Sequence, residues 1–446
     1  GHHRRQRQMC IRDSPFSACI LMQLQEALGY FIIGCLHDAF DNDNSSKKNS
    51  VRKMLIQVFN AGSSSIKFAL YQHQPKLELL KGNLEKIGEA SSILSYQTSS
   101  SPSHKIELSD GCQNHKEGIQ KILEIFDQEK NNPGSADLIV HRVVHGGTKY
   151  RHAALLDLEV KQFIRDMIPL ARTHHPASLA CIEEISEHFP EIPQAVVFDT
   201  SFHQTLPEYA WRYALPRKIS DQYAIRRYGF HGISHQSVLK QAASFLKTPV
   251  NKLNLITIHL GNGASISAIK KGICVDTTMG MTPLEGLVMG TRPGDLDPGI
   301  LTLLAGEGWN QEALETMLNQ DSGMKGLCGT SDFREILQNK EEGNEEAEMA
   351  LELYCYRVRK TIGSFSTVIG PVDALVFTGG VGENVSWVRK RSVRGMEWMN
   401  IQLDPDMNDH AEAPCAIHSK NSQTKILVLP SDEEWEMASQ AAELIL

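Results

Sequence analysis

One local pattern occurs twice in this chain, and it narrows the folds available to it. Residues 255–269, LITIHLGNGASISAI, begin as an apolar strand through Leu255, Ile256 and Ile258. They break at Gly261-Asn262-Gly263 and resume an alternating pattern through Ile266, Ala268 and Ile269. Residues 55–70, LIQVFNAGSSSIKFAL, read the same way: a strand, a break at Asn60-Ala61-Gly62 and three serines, then a strand again. Each reads as a hairpin whose turn can approach a ligand closely, because glycine leaves no side chain in the way. Setting Gly62 against Gly263 aligns GSSSIKFAL with GASISAIKK, about one half-chain apart. Two such units predict a duplicated fold with a ligand held between its halves.

A second glycine- and threonine-rich run, TTMGMTPLEGLVMGTRPGDLDPG (277–299), follows the later hairpin and carries Arg292 and Asp295. Exposed backbone N–H groups, hydroxyls, a guanidinium and a carboxylate together suit a phosphate and its metal ion. Glycine clusters in sheets also mark plain bulges and turns, so the rest of the chain has to agree. Downstream of Met54 apolar runs alternate with segments of helical spacing. Residues 137–144, 194–198, 253–260, 373–377 and 426–429 read as central strands; 116–130, 156–169, 234–247, 310–319 and 343–369 read as helices. The expected class is therefore α/β in two similar halves, with ligands at the carboxyl ends of the strands.

Bulk composition limits the function. The 446 residues suit two domains, and 41% hydrophobic residues suffice for buried cores. A net charge of −8 argues against nucleic acid or a membrane surface as the main partner. The nine cysteines (Cys10, Cys19, Cys35, Cys112, Cys181, Cys274, Cys328, Cys355 and Cys415) show no CxxC pair or zinc spacing. Free thiols in a reducing, cytoplasmic setting are expected. Residues 1–53 stand apart: GHHRRQRQMCIRDS is basic and aperiodic, the apolar patch at 16–36 is interrupted by Gln23, Gln25 and Glu26, and DNDNSSKKNS reads as a linker. We read 1–53 as a non-native or disordered extension ahead of a natural start at Met54.

Ten segments in order then carry a specific resemblance. They are NAGSSSIKF (60–68), HRVVHGG (141–147), HHPASL (174–179), VFDTSFHQTLP (197–207) and RRYGFHGISH (226–235). They continue with HLGNGAS (259–265), TPLEGLVMGTRPGDLDPG (282–299), GTSDFREI (329–336), FTGGVGEN (377–384) and PSDEE (430–434). The chain resembles the acetate and propionate kinase family, within the actin-like ATPase and sugar kinase group. The resemblance implies two duplicated actin-like (ribonuclease H-like) domains with a nucleotide cleft between them. Residues 54–199 would form the first, with a C-terminal helix at 435–446 packing back on it, and 200–434 the second. Two-domain kinases close on their substrates, so hinges are expected near 199 and 434.

The same resemblance implies reversible, Mg²⁺-dependent transfer of the γ-phosphoryl group of ATP to acetate by direct in-line displacement, giving acetyl phosphate and ADP. Mn²⁺ is a possible substitute for the metal. Arg142 and Arg292 would sit at the transferring group, where a planar guanidinium matches carboxylate and phosphoryl oxygens. His231 would contact the phosphoryl group and His174 would orient; an ionised carboxylate nucleophile needs no strong base. Asp199 would orient an arginine or join the Mg²⁺ shell, and Glu433 and Asn60 would serve the metal. Nucleotide contacts are implied for Asn60, Lys67, His259, Asn262, Gly263, Asp332, Phe333, Arg334, Gly380, Val381 and Asn384. The acyl pocket would be lined by Arg142, Val144, Phe230, Pro283 and Thr173, the last standing where the family usually has a larger aliphatic residue. Asp432 departs from the family's usual Asn. Acetate is the default acceptor and propionate the alternative. A butyrate or sugar kinase of the same superfamily, or a nucleotide binder without turnover, are the other readings; a homodimer is expected from the family.

Overall fold

A computed structural model describes residues 53–99, 101–128, 136–172 and 174–446. The readings made for residues 1–52 and for Thr173 lie outside the described residues. Within 53–446, which form one compact unit, lie two sheets. The first contains β1 (Leu55–Ala61), β2 (Ser65–Gln72), β3 (Leu77–Glu85), β4 (Ser92–Thr98), β5 (Ser101–Leu108), β6 (Leu138–Val143), β7 (Ala154–Leu155) and β8 (Gln194–Phe198). Their spatial order is β5-β4-β3-β2-β1-β6-β8-β7. The second contains β9 (Leu255–Leu260), β10 (Ala264–Lys270), β11 (Ile273–Thr277), β12 (Ala374–Thr378), β13 (Cys415–Ala416) and β14 (Lys425–Val428), ordered β11-β10-β9-β12-β14-β13.

The duplication is visible strand by strand. In both sheets three antiparallel strands turn back on one another, and the first of them pairs in parallel with the later strands. Both sheets even end in a two-residue antiparallel edge strand, β7 on β8 and β13 on β14. The register refines the alignment drawn from the sequence. The last ladder pairs before the turns are Ala61–Ile66 and Leu260–Ala264, so Gly62 corresponds to Gly261 rather than to Gly263.

The central strands are apolar almost throughout because both of their faces are covered. One face of the first sheet packs Phe59, Phe68 and Leu84 against Ile119, Ile122 and Phe126 of the helix His115–Gln128. One face of the second packs Ile256, Ile266 and Phe377 against Leu351, Val358 and Ile362 of the helix Glu345–Ile369. The opposite faces are covered by exchange. Val238, Leu239 and Ala242 of the helix Gly232–Phe245, which follows the first sheet, pack on Leu255, Ala374 and Leu427 of the second. Met437, Ala438 and Ala441 of the helix Glu433–Ala442, which follows the second sheet, pack on Ile56, Val58, Val140 and Val197 of the first. Each half thus depends on a helix that the chain supplies after the other half. Among the described residues no helix is long and apolar enough to cross a membrane.

Met437 is fully buried at this exchanged contact. Met437→Ala should destabilise the fold by about 2–5 kcal/mol, the usual range for truncating a buried Met. Half-exposed Met407 should tolerate the same change within about 0.5 kcal/mol. Urea unfolding of the two variants beside the parent checks this; equal midpoints would contradict the packing role of the last helix.

Candidate active site

Strand ends from both sheets open on one cleft of about 440 Å³. Asn60 lies near the end of β1, Arg142 near that of β6, and His259 near that of β9. Gly379 and Gly380 follow β12, and Ser431 and Glu433 follow β14; all of these line the cleft, with Lys67, His231, Asn262 and Gly263. The carboxyl ends of parallel strands are where open α/β sheets hold their ligands.

A buried charge network forms the floor. The Arg142 guanidinium donates from Nε to Asp199 Oδ1 at 3.0 Å and from Nη2 to Asp199 Oδ2 at 2.6 Å. Its Nη1 donates to Asn60 Oδ1 at 3.0 Å, so every nitrogen of the fork is engaged. The Asn60 amide in turn faces Glu433 at 3.5 Å and Glu434 at 3.3 Å. Asp199 also accepts a backbone hydrogen bond from His231. Burial opposes the charge on Arg142, but Asp199 and Glu433 outweigh it and hold the guanidinium protonated. Burial likewise pushes the Glu433 carboxyl up, while Arg142 and Lys67 bring it below its ordinary value. Glu433 is therefore an ionised carboxylate facing the cleft.

His231 stands at the mouth of the helix Gly232–Phe245 in a left-handed conformation, φ 54° and ψ 25°. Such a backbone costs a non-glycine residue about 1–2 kcal/mol, and strain of this kind gathers at functional sites. The next residue has to be glycine: a Cβ on Gly232 would lie 2.0 Å from the Asp199 carbonyl oxygen. At Gly263 a Cβ would sit 3.1 Å from both His231 Nε2 and Arg292 Nη2. The glycine turn therefore lies against the two groups at once. The Arg292 side chain donates to the Pro283 carbonyl oxygen at 2.8 Å and, among the described residues, has no carboxylate partner. Burial lowers it to about 10, still protonated at neutral pH.

The histidines around this point are neutral. Burial, with His259 and Arg142 nearby, takes His231 well below its ordinary value. Burial lowers His259 to about 4, and burial with Arg142 and Arg292 lowers His174 to about 3. His174 Nδ1 is buried without a hydrogen-bond partner among the described residues. The His259 ring lies 4.4 Å from that of His231.

Other sequence-derived residues fall differently. Val144 and Phe230 are buried in the same apolar cluster, and Pro283 holds Arg292 through its carbonyl. Val381 is a core residue, and exposed Asn384 bonds back to the Gly380 carbonyl. The Phe333 ring packs edge-on to Tyr354 at 5.0 Å in the core. Asp332 caps the helix that begins at Phe333, and Arg334 folds onto Asp332 at 2.7 Å, with both exposed. Asp432 pairs with Lys76 at 2.6 Å instead of entering the cleft. Asn60 gives its carbonyl oxygen to Arg142, which leaves its N–H₂ facing the acidic side chains. One cleft-lining side chain was not foreseen. Glu383 Oε1 accepts from the Gly379 and Ser431 backbone amides, both at 2.9 Å, tying two walls of the cleft together. An acid within the glycine run GGVGEN was the available signal.

Among the described residues no cluster of three or more His, Cys, Asp or Glu side chains is arranged to hold a metal ion. A magnesium ion shared with nucleotide phosphates needs only one or two protein carboxylates. Glu433 suits that task, since its hydrogen bonds, to Asn60 at 3.5 Å and Ser431 at 3.4 Å, are long and leave its oxygens available.

Because these imidazoles are neutral in the folded state, unfolding lets them take up protons. Their folded values lie below the unfolded value near 6.5, so stability is present above that value and is lost as pH falls. His141, His203 and His259 near 4, and His145 and His174 near 3, all act in this sense. Urea midpoints should fall steadily from pH 7 to pH 5, above the carboxylate range; a flat profile there would contradict buried neutral histidines.

The profile described as the Acetokinase family matches residues 55–439. The acetate kinase of Sulfurovum sp. (strain NBC37-1) is 44% identical over 399 residues, covering 88% of this chain and 99% of the relative. The acetate kinase of Campylobacter jejuni is also 44% identical, over 397 residues, covering 88% of this chain and 99% of its own. The crystal structure of Porphyromonas gingivalis acetate kinase matches with a TM-score of 0.81 at 38% identity, covering 88% of this chain and all of that one. A propionate kinase from Francisella tularensis matches equally, with a TM-score of 0.81 at 38% identity over 87% of this chain and 98% of its own.

Proposed function

The chain belongs to the acetokinase family and has the activity of an acetate kinase; we propose that the cleft beside Gly263 is where it moves the γ-phosphoryl group of ATP onto acetate. The observation that carries this placement is the meeting of Arg292 Nη2 and His231 Nε2 against Gly263, across the cleft floor formed by Arg142. Transfer between a phosphate and a carboxylate brings anions together, so fixed cations and donors that need no reorganisation lower the barrier.

In this reading the triphosphate runs along the backbone of Asn262, Gly263 and Gly380, with Lys67 and His259 beside it. Adenosine reaches toward the Asp332 and Asn384 edges. Acetate lies with its methyl group toward Val144, Phe230 and Pro283 and its carboxylate toward Arg142. A carboxylate oxygen attacks the γ-phosphorus in line, the bond to the ADP bridging oxygen breaks, and acetyl phosphate and ADP result. No proton has to move, because the nucleophile is already ionised. Neutral His231 therefore serves as a hydrogen-bond donor to the phosphoryl oxygens, and His174, with a free buried nitrogen, as an orienting group. Asp199 and Asn60 hold Arg142 in place. When bound, Mg²⁺ neutralises phosphate charge, and Glu433 is the carboxylate that would hold it. The two halves, dividing at Asp199 and again at Glu434, would close around the substrates.

Hydroxylamine trapping of acyl phosphate, with ATP, Mg²⁺ and acetate, propionate or butyrate, tests the placement. Arg292→Ala should lower kcat roughly 10²–10³-fold, the usual effect of removing one transition-state donor, while ATP binding persists. Undiminished turnover in that variant would move the reaction away from Gly263.

The cytoplasm and a homodimer belong to the same proposal. All six described cysteines are free. The helix Pro298–Gly306, PGILTLLAG, buries none of its residues in the single chain, and Ile300, Leu303 and nearby Trp309 stand exposed. An apolar face of this kind on a soluble chain calls for a covering surface, here a second copy. Sedimentation should give a dimer, and Leu303→Glu should shift it toward monomer; a monomeric parent protein would overturn this part.

A further inference from the structure

Behind His231 a line of hydrogen bonds runs away from the cleft into the core. His231 Nδ1 meets Ser265 Oγ at 2.9 Å, and the same Ser265 Oγ meets His235 Nε2 at 2.8 Å. His235 Nδ1 then meets Thr257 Oγ1 at 2.7 Å. Ser265, His235 and Thr257 are fully buried. Their placement follows from local structure. His235 lies four residues after His231 and so shares its helix face, while Thr257 and Ser265 come from paired strands β9 and β10.

The chemistry of a hydroxyl makes this line directional. Ser265 has a single proton, so it can donate to one imidazole and must accept from the other. If Ser265 donates to His231 Nδ1, then His235 donates from Nε2 to Ser265, and Thr257 donates to His235 Nδ1. Every polar atom in the line is then satisfied, and His231 carries its proton on Nε2, the atom beside Gly263 and Arg292. In the reverse order His235 donates to Thr257, whose own proton has no second partner among the described residues. A buried unsatisfied donor disfavours that order. The reverse order also turns a bare lone pair of His231 toward the cleft, against an anionic phosphoryl group. Burial, with His203 and His259 alongside, keeps His235 well below its ordinary value, so a doubly protonated ring does not blur the choice.

We propose that Thr257, His235 and Ser265 form a one-way hydrogen-bond relay that locks His231 in the Nε2–H tautomer, presenting a donor to the transferring phosphoryl group. The three are positioning residues, and the proposal rests on the reading that His231 faces that group. Loss of the terminal Thr257 hydroxyl makes the two orders comparable, which halves the competent population. Loss of Ser265 removes the brace on Nδ1.

The test is ¹⁵N NMR of the full-length protein labelled at histidine, with the His231 signals identified as those absent from His231→Asn. The parent protein should show a protonated Nε2 and an unprotonated Nδ1. Thr257→Val should give mixed tautomers and Thr257→Ser should restore one. Kinetically, Ser265→Ala should lower kcat roughly 10-fold with KM for ATP and acetate within about twofold, and Thr257→Val should lower kcat about 2-fold. The double variant should fall no further than Ser265→Ala, since both act on one line. A protonated Nδ1 in the parent protein overturns the relay even if every variant misfolds, and so does a Thr257→Val protein with an unchanged tautomer. Full activity in His231→Asn would instead overturn the placement of the phosphoryl group, a failure distinguishable because the tautomer measurement does not depend on turnover.

Discussion

A largely buried guanidinium governs much of this molecule. Arg142 sits near the end of β6, and its burial is tolerable because Asp199 and Asn60 accept from three of its five N–H groups, one on each nitrogen. Removing one partner from such a pair leaves an uncompensated buried charge, at a typical cost of about 3–5 kcal/mol. The requirement propagates. Asn60 fixes the end of β1, Asp199 follows β8, and Glu433 and Glu434 begin the last helix, so four parts of the chain are drawn to one point. The gain is a cation whose position is set before any anion arrives.

The exchanged helices explain how a duplicated fold produces one cleft rather than two separate crevices. Each half leaves one sheet face bare until the helix that follows the other half covers it. Glu433 and His231 both stand at the starts of these exchanged helices. The packing that completes each half therefore also delivers a side chain to the cleft. Duplication supplies the symmetry, and the chemistry departs from it. The first turn carries serines ahead of Lys67, while the second carries Gly263, against which Arg292 and His231 can close.

Neutral histidine is the other recurring element. A charged imidazole would add to the cationic field, but burial and the neighbouring arginines hold His231 and His174 unprotonated. A neutral imidazole can donate one hydrogen bond without carrying charge, which suits transfer to an ionised acceptor. Their direction of donation depends on what stands behind them, and there the core rather than the cleft decides.

Much was legible in the residues alone. Apolar runs marked β6, β8, β9, β12 and β14 within one or two residues, because strands covered on both faces need continuous hydrophobicity. The break in each hairpin was readable because glycine interrupts an apolar alternation where the chain reverses. Arg142, His231, Asn262, Gly263 and Glu433 were named from the motifs that carry the family resemblance, and the fold brings all five to one cleft. Only the tertiary structure decided the rest. It aligned Gly62 with Gly261, took Phe333 into the core, turned the oxygen of Asn60 to Arg142, and set Glu383 as a brace between Gly379 and Ser431. Periodicity states which face of a strand or helix is buried. It does not state which buried polar atom will meet which, because partners such as Asn60 and Glu433 lie hundreds of residues apart and are matched only when the sheets and exchanged helices have packed.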